Sequence, residues 1–254
     1  MPRATRYLVE GYTYHLTHRC HDKAFLLRFK EERDAYREWL RIGAKRHRVP
    51  VYAYCITRNH VHVVAHVDNR HDVAAMMHLA AGAVAQHFNK RKEREGSVWE
   101  HPYQCTMIEN GRHLLNCLSY IDLNMVRAGV VSHPEQWRWC GYDELSGVRK
   151  RYRILNIDRL LKSLGIARIG ALQEFHGQRV AGRIREARLS REPEWTESLA
   201  VGGEQFIAAA EGVYGAHRRH MLSQPLSPND PHSPWILREE HASYGTNLRS
   251  ESEV

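Results

Sequence analysis

The chain has 254 residues, 43% of them hydrophobic, enough for one large domain or for a catalytic domain with a smaller appendage. Its formal charge of +8 is uneven: residues 1–222 carry a net +11, and the stretch from Ser223 onward a net −3. That surplus favours a polyanionic partner, since bases that neutralise phosphates release counterions, although a solvated basic surface explains charge alone nearly as well. The five cysteines, Cys20, Cys55, Cys105, Cys117 and Cys140, are odd in number and never form a Cys-x-x-Cys pair. This argues against a disulfide framework or a zinc knuckle and suits a reducing compartment. Met1 to Tyr7 lacks the apolar run of a signal peptide, and no stretch reaches the length of a membrane span. A soluble, cytoplasmic protein is expected.

Tyr12, Tyr14, Leu16 and His18 alternate with other residues and predict a first strand. Glu31 to about His47 reads as a helix: Ala35, Trp39 and Ile42 share a face, acids lie early, bases lie late, and Pro50 closes it. Val51–Ile56 and His60–Val67 read as two strands joined by Thr57-Arg58-Asn59 in the manner of a hairpin. Asp72 is expected to cap a helix that runs through Met76, Met77, Leu79, Ala80 and Val84 to about Asn89. The basic segment Lys90-Arg91-Lys92-Glu93-Arg94 and Gly96 break that pattern. A short strand follows over Gln104–Ile108, then a helix from about Gly111 to Ala128 with Gly129 just past its end.

The order β-α-β-β-α-β-α predicts an α+β fold over residues 1–147, close to a ferredoxin-like split βαβ arrangement with one antiparallel sheet. Residues 148–222 predict a small, mostly helical region, with helices over Arg151–Gly165 and Glu204–Gly215 and an arginine-rich stretch, Arg179 to Arg191, between them. Residues 223–254, rich in Pro, Ser and Asn, are expected to form a disordered tail.

Two patterns carry chemistry. In Asn59-His60-Val61-His62-Val63-Val64 the strand period puts His60 and His62 on one face and the valines on the other. Two adjacent imidazoles suit one divalent metal that finds further ligands elsewhere. A His-rich solvent face, a half-buried satisfied pair, and chance among 18 histidines remain open at this point. On the last helix, Leu114, Leu118, Ile121 and Met125 make a core stripe, while Tyr120 and Asn124 lie one turn apart on a neighbouring face and can address one point. Taken alone, a Tyr covering the core edge and an Asn near a helix end explain that spacing as well.

Together the patterns resemble a known family. His-hydrophobic-His followed on a later helix by Tyr-x-x-x-Asn is similar to the single-tyrosine HUH transposases, specifically the REP-associated tyrosine transposases. The likeness runs from about Tyr7 to Tyr142. It includes Tyr14-His15-Leu16-Thr17, Tyr54 to Val64, Gly96-Ser97-Val98-Trp99 leading to Tyr103, Tyr120-Ile121 to Gly129, and Trp137 to Tyr142. Arg58 and Met125 stand where the family usually has Pro, and Arg19-Cys20 replaces a common Arg-Gly, changes that bear on loop geometry rather than on a reacting group.

The resemblance implies that His60, His62 and Asn124 bind Mg²⁺ or Mn²⁺ and that Tyr120 is the nucleophile of a transposase. Such an enzyme cuts and rejoins single-stranded DNA, beside a hairpin, through a 5′-phosphotyrosine. It would act as a monomer or homodimer. Lys90, Arg91, Lys92 and Arg127 would contact DNA, and Trp99 or Tyr103 would stack an unpaired base. The rival readings are a domesticated protein that grips DNA hairpins without cutting, and a hydrolase that uses water in place of Tyr120.

Overall fold

The computed structural model describes residues 7–100, 102–187, 189–215, 220–230 and 233–239. Strand β1 (Thr13–Arg19) is followed by helix α1 (Lys30–Arg46), the hairpin β2 (Val51–Ile56) and β3 (His60–His66), helix α2 (Arg70–Arg91) and strand β4 (Gln104–Ile108). Beyond it come α3 (Arg112–Asp122), α4 (Asn124–Arg127), α5 (Tyr142–Leu145), α6 (Ile157–Leu164), α7 (Ile169–Arg185) and α8 (Glu194–Glu197). The chain then adds β5 (Ala200–Gly202), α9 (Glu204–Gly215), β6 (Met221–Pro225) and β7 (Trp235–Glu239).

The first four strands lie in the order β2-β3-β1-β4, each antiparallel to its neighbours. The Thr57 side chain shapes the β2–β3 turn: its oxygen accepts from the amides of Asn59 (3.3 Å) and His60 (3.1 Å). Helices α1 and α2 pack side by side, close enough that a Cβ on Gly43 would sit 3.1 Å from Met76 Cγ. They cover one face of the sheet: Arg37 of α1 donates to the Tyr54 hydroxyl at 2.9 Å, on the side opposite Cys55 and its cross-strand partner His62. Helix α3 covers the other face, where its Tyr120 ring meets His15 and His62. Residues 138–156 shield the β2 edge, with isolated bridges at Cys55–Cys140 and Val51–Leu155.

Four sequence expectations need correction. The sheet is mixed and has seven strands, because β5 joins β4 in parallel and β7 and β6 extend it antiparallel. The region over residues 148–222 is mostly helical as expected (α6 to α9), and β5 within it, with β6 and β7 after it, adds three strands to the same sheet. The disordered tail expected from Ser223 fails for Ser223–Pro225 and for β7, where backbone pairing and the burial of Ile236 and Leu237 hold short strands despite a Pro- and Ser-rich composition; residues 240–254 lie outside the described residues. Asn69, not Asp72, caps α2, its side chain accepting from the His71 amide at 2.8 Å. Finally, the single helix expected from Gly111 to Ala128 is interrupted at Leu123, so Tyr120 and Asn124 lie on two short helices that continue one another.

Candidate functional site

The site lies where β1 and β3 pass beneath α3 and α4. In register, Thr17 of β1 faces His62 of β3 and Arg19 faces His60, so both histidines and the polar Thr13-His15-Thr17 stripe share one face. His60 and His62 meet edge to face with ring centroids 4.6 Å apart. Asn124 Nδ2 approaches His62 Nε2 at 3.0 Å, and the Tyr120 ring lies 6.1 Å from that of His62. All four residues singled out by spacing therefore converge.

Each is held by identifiable neighbours. His60 Nδ1 donates to the Asn59 side-chain oxygen at 2.7 Å, which leaves Nε2 as the ring's lone-pair nitrogen. Burial lowers the His60 pKa to about 4, with Arg19 and Arg127 adding repulsion, and drives that of His62 well below the ordinary value. Both rings are thus neutral near pH 7. The Asp122 carboxylate, next to the Tyr120 turn, is tied to α7 by His176 Nε2 at 2.8 Å and receives the Cys140 thiol at 3.0 Å.

Burial raises the Tyr120 pKa, and the nearby Arg127 charge opposes that rise. The Arg127 guanidinium carbon sits 4.2 Å from the Tyr120 ring centroid, and its Nη2 donates to the Tyr120 carbonyl at 3.3 Å. Its Nη1 is buried without a hydrogen-bond partner, a spare cationic donor beside the phenol. The Trp195 ring lies 6.4 Å from Tyr120 and, with Arg127, roofs it, so that Tyr120 is only 4% exposed.

The donor set fits a divalent cation. Two neutral imidazoles and a side-chain amide form a mixed nitrogen and oxygen set that Mn²⁺ accepts readily, with the Asn124 N–H facing His62 Nε2 in the place such an ion would take. Among the described residues no group of three or more His, Cys, Asp or Glu is placed to hold a metal.

Of the two aromatic residues expected to stack a base, Trp99 is half-buried, stacks one face on His18 at 4.2 Å and donates its indole N–H to the Ala81 carbonyl at 2.9 Å, and Tyr103 is buried. Of the basic segment, Arg91 pairs with the buried Glu32 and Lys92 lies 4.6 Å from the Phe29 ring, while Lys90 is exposed on α2. These three stand away from the histidine face, at the end of α2.

Sequence reasoning missed His15 and Trp195. His15 Nε2 lies 2.8 Å from His62 Nδ1, and His15 Nδ1 lies 2.7 Å from the Trp195 carbonyl oxygen. The signal for His15 was available in the second face of β1, where Thr13, His15 and Thr17 alternate with the core residues. Nothing in the sequence signals a backbone carbonyl. A cleft of about 230 Å³ lined by Thr17, Arg19, Gln104 and Arg191, among others, adjoins the histidines.

The fold and site thus define a chain with a histidine pair on a central strand and a helical tyrosine and asparagine above it. Residues 8–124, just under half the chain, match the family described as "Transposase IS200 like". This span contains both histidines, Tyr120 and Asn124. Among solved structures the chain is similar to one titled "Structure of the REP associates tyrosine transposase bound to a REP hairpin", at 17% identity and a TM-score of 0.47 over 61% of this chain and 90% of that one. No curated protein matches the chain. Among the described residues no helix is long and apolar enough to cross a membrane.

Proposed function

We propose that this protein is a single-strand DNA nuclease and strand transferase that works through a covalent bond to Tyr120. The observation that carries the reading is the convergence of Tyr120, His60, His62 and Asn124 on one face of β3, within the span that matches the transposase family. The strand order β2-β3-β1-β4 likewise supports a ferredoxin-like split βαβ core beneath that site.

His60, His62 and Asn124 would hold Mg²⁺ or Mn²⁺, which when bound polarises the non-bridging phosphate oxygens. Tyr120 attacks the phosphorus, its Oη–P bond forming as the P–O3′ bond breaks. The phenol proton is lost, and the departing 3′-oxygen gains one. The products are a 5′-phosphotyrosine and a free 3′-hydroxyl. One phosphoester replaces another, so a second 3′-hydroxyl can reverse the step and join new ends without a nucleotide cofactor. Arg127 contributes twice. Its charge opposes the burial that makes the phenol reluctant to ionise, and its unpartnered Nη1 can take a phosphate oxygen.

The substrate class is single-stranded DNA beside a hairpin, and one tyrosine per site makes one cut at a time. The near-complete burial of Tyr120 favours a second reading, a hairpin-binding protein that does not cut. Trapping on denaturing gels separates the two. A labelled DNA strand with Mn²⁺ should form a denaturation-resistant adduct with the wild type and none with Tyr120→Phe. Binding without any adduct supports the second reading. Cleavage without an adduct assigns the attack to water.

A further inference from the structure

We infer that His15 is a positioning residue that fixes the tautomer of His62, and that the C-terminal segment anchors it through the Trp195 carbonyl. The inference rests on the reading of His62 as a metal ligand, and it turns on the direction of three hydrogen bonds. A carbonyl oxygen can only accept, so His15 Nδ1, 2.7 Å from Trp195 O, must carry a hydrogen. At the other end of this hydrogen-bonded chain the Asn124 amide nitrogen can only donate, so His62 Nε2, 3.0 Å from it, is a lone pair and the ring hydrogen of His62 sits on Nδ1. At 2.8 Å that hydrogen points at His15 Nε2, which accepts it as the lone-pair nitrogen of a ring whose own hydrogen is on Nδ1. The two ends, a carbonyl that only accepts and an amide N–H that only donates, thus fix both tautomers.

Every donor in the chain Asn124, His62, His15, Trp195 points the same way. The Thr17 hydroxyl lies 3.5 Å from His15 Nε2 and 3.4 Å from His62 Nδ1, too far to replace either bond. The rings of His15 and His62 stack at 4.9 Å and 27°, so packing as well as hydrogen bonding sets the angle of His62. The opposite tautomer of His62 would point two lone pairs at each other across the His15 contact and two N–H groups at each other across the Asn124 contact.

Metal-ligating histidines are commonly oriented through their other ring nitrogen, usually by a carboxylate or a carbonyl; loss of such a partner costs about 10- to 100-fold in metal affinity. Here a second histidine relays a carbonyl from a helix that lies 180 residues from it in sequence.

The test is ¹⁵N NMR of the histidine rings in the full-length, metal-free chain, together with Mn²⁺ titration. In the wild type, His62 should show a protonated Nδ1 and a bare Nε2. His15→Phe should let His62 exchange between tautomers and weaken Mn²⁺ binding by about 10- to 100-fold. His15→Gln sets an amide oxygen at the former Nε2 position and should restore most of the affinity and the Nδ1–H signal. A wild-type His62 protonated on Nε2 overturns the inference, and so does a folded His15→Phe with unchanged His62 shifts and Mn²⁺ affinity. A wild type that shows the stated tautomer yet binds no Mn²⁺ overturns the metal-ligand reading and leaves the positioning by His15 standing. The wild-type spectrum decides the tautomer even if His15→Phe does not fold.

Discussion

Two stretches of this chain are rich in arginine, and they meet opposite fates. Along α7 and the turn after it, Arg179 reaches Asn116, Arg183 pairs with Glu192 and Arg191 pairs with Glu197; Arg188 lies outside the described residues. Around residues 138–153, Arg149 turns in to Asp143 at 3.6 Å and Arg138 lies 3.5 Å from Asp34, while Lys150, Arg151 and Arg153 are exposed on the rims of clefts of about 730 and 740 Å³. Tyr152 stands 71% exposed among them, its carbonyl held by Arg37 at 2.7 Å. Charge density along a sequence does not separate the two cases. What separates them is whether acids or amides fold back onto the bases, and that depends on tertiary structure. In the first stretch Arg179 ties α7 to Asn116 of α3, and in the second Lys150, Arg151 and Arg153 leave their charge to solvent or to a polyanion.

The comparison can be broken at several points. The largest effect is expected at Trp195, which is 2% exposed and packs on Tyr120. Trp195→Ala should destabilise the fold by about 3–5 kcal/mol. It should also speed solvent exchange and chemical modification at Tyr120, measured by denaturant melts and by tyrosine modification mapped to the residue. A loss well under 1 kcal/mol would mean that α8 is not a structural part of the site.

Next is His176→Ala, which leaves the buried Asp122 carboxylate with only the Cys140 thiol and so should cost about 1–3 kcal/mol from an unmatched polar group alone. The same melts test it, and covalent activity should fall with stability, because Asp122 lies between Tyr120 and Asn124. Chelation separates chemistry from grip: EDTA should stop adduct formation while leaving hairpin affinity largely intact, and full activity of His60→Ala in EDTA would overturn the metal reading.

The smallest effect sharpens the contrast most. Replacing Lys150, Arg151 and Arg153 with Ala should reduce the slope of log affinity against log salt by about 0.7–0.9 for each phosphate that the protein no longer neutralises, read from hairpin binding across a salt series. Replacing Arg179, Arg183 and Arg191 instead should lower the melting temperature and leave that slope nearly unchanged. The reverse result would show that the paired arginines open toward DNA.

Much of the fold was legible because strand and helix periods are local. The β2–β3 hairpin and the histidine face follow from alternation; α1 was legible as a helix, although its buried face is Tyr36, Leu40 and Ala44 and the stripe Ala35, Trp39 and Ile42 is only half-buried. Tyr120 and Asn124 were legible as a pair because helical spacing survives the break at Leu123. The role of His15 was not, since it arises from the register that sets β1 against β3. The surroundings of Trp99 were not legible either, because an aromatic ring next to basic residues reads the same whether it is stacked on His18 or open to solvent. Strands β6 and β7 hid in a composition that usually marks loops, because their order comes from pairing, β7 with β5 and β6 with β7, rather than from their own propensity.

The placement of α8 bears on where this protein can be cut. Every motif by which the chain would be recognised ends before residue 147, and a truncation there would pass as a complete catalytic domain. It would nonetheless lose the Trp195 carbonyl that holds His15, the indole over Tyr120, and β5, which leaves the outer edge of β4 unpaired. The smallest unit that is recognisable is shorter than the smallest unit that is whole. A shortened version that aggregates, or that binds metal weakly, would be reporting the lost roof and the bare strand rather than a fault in the histidines.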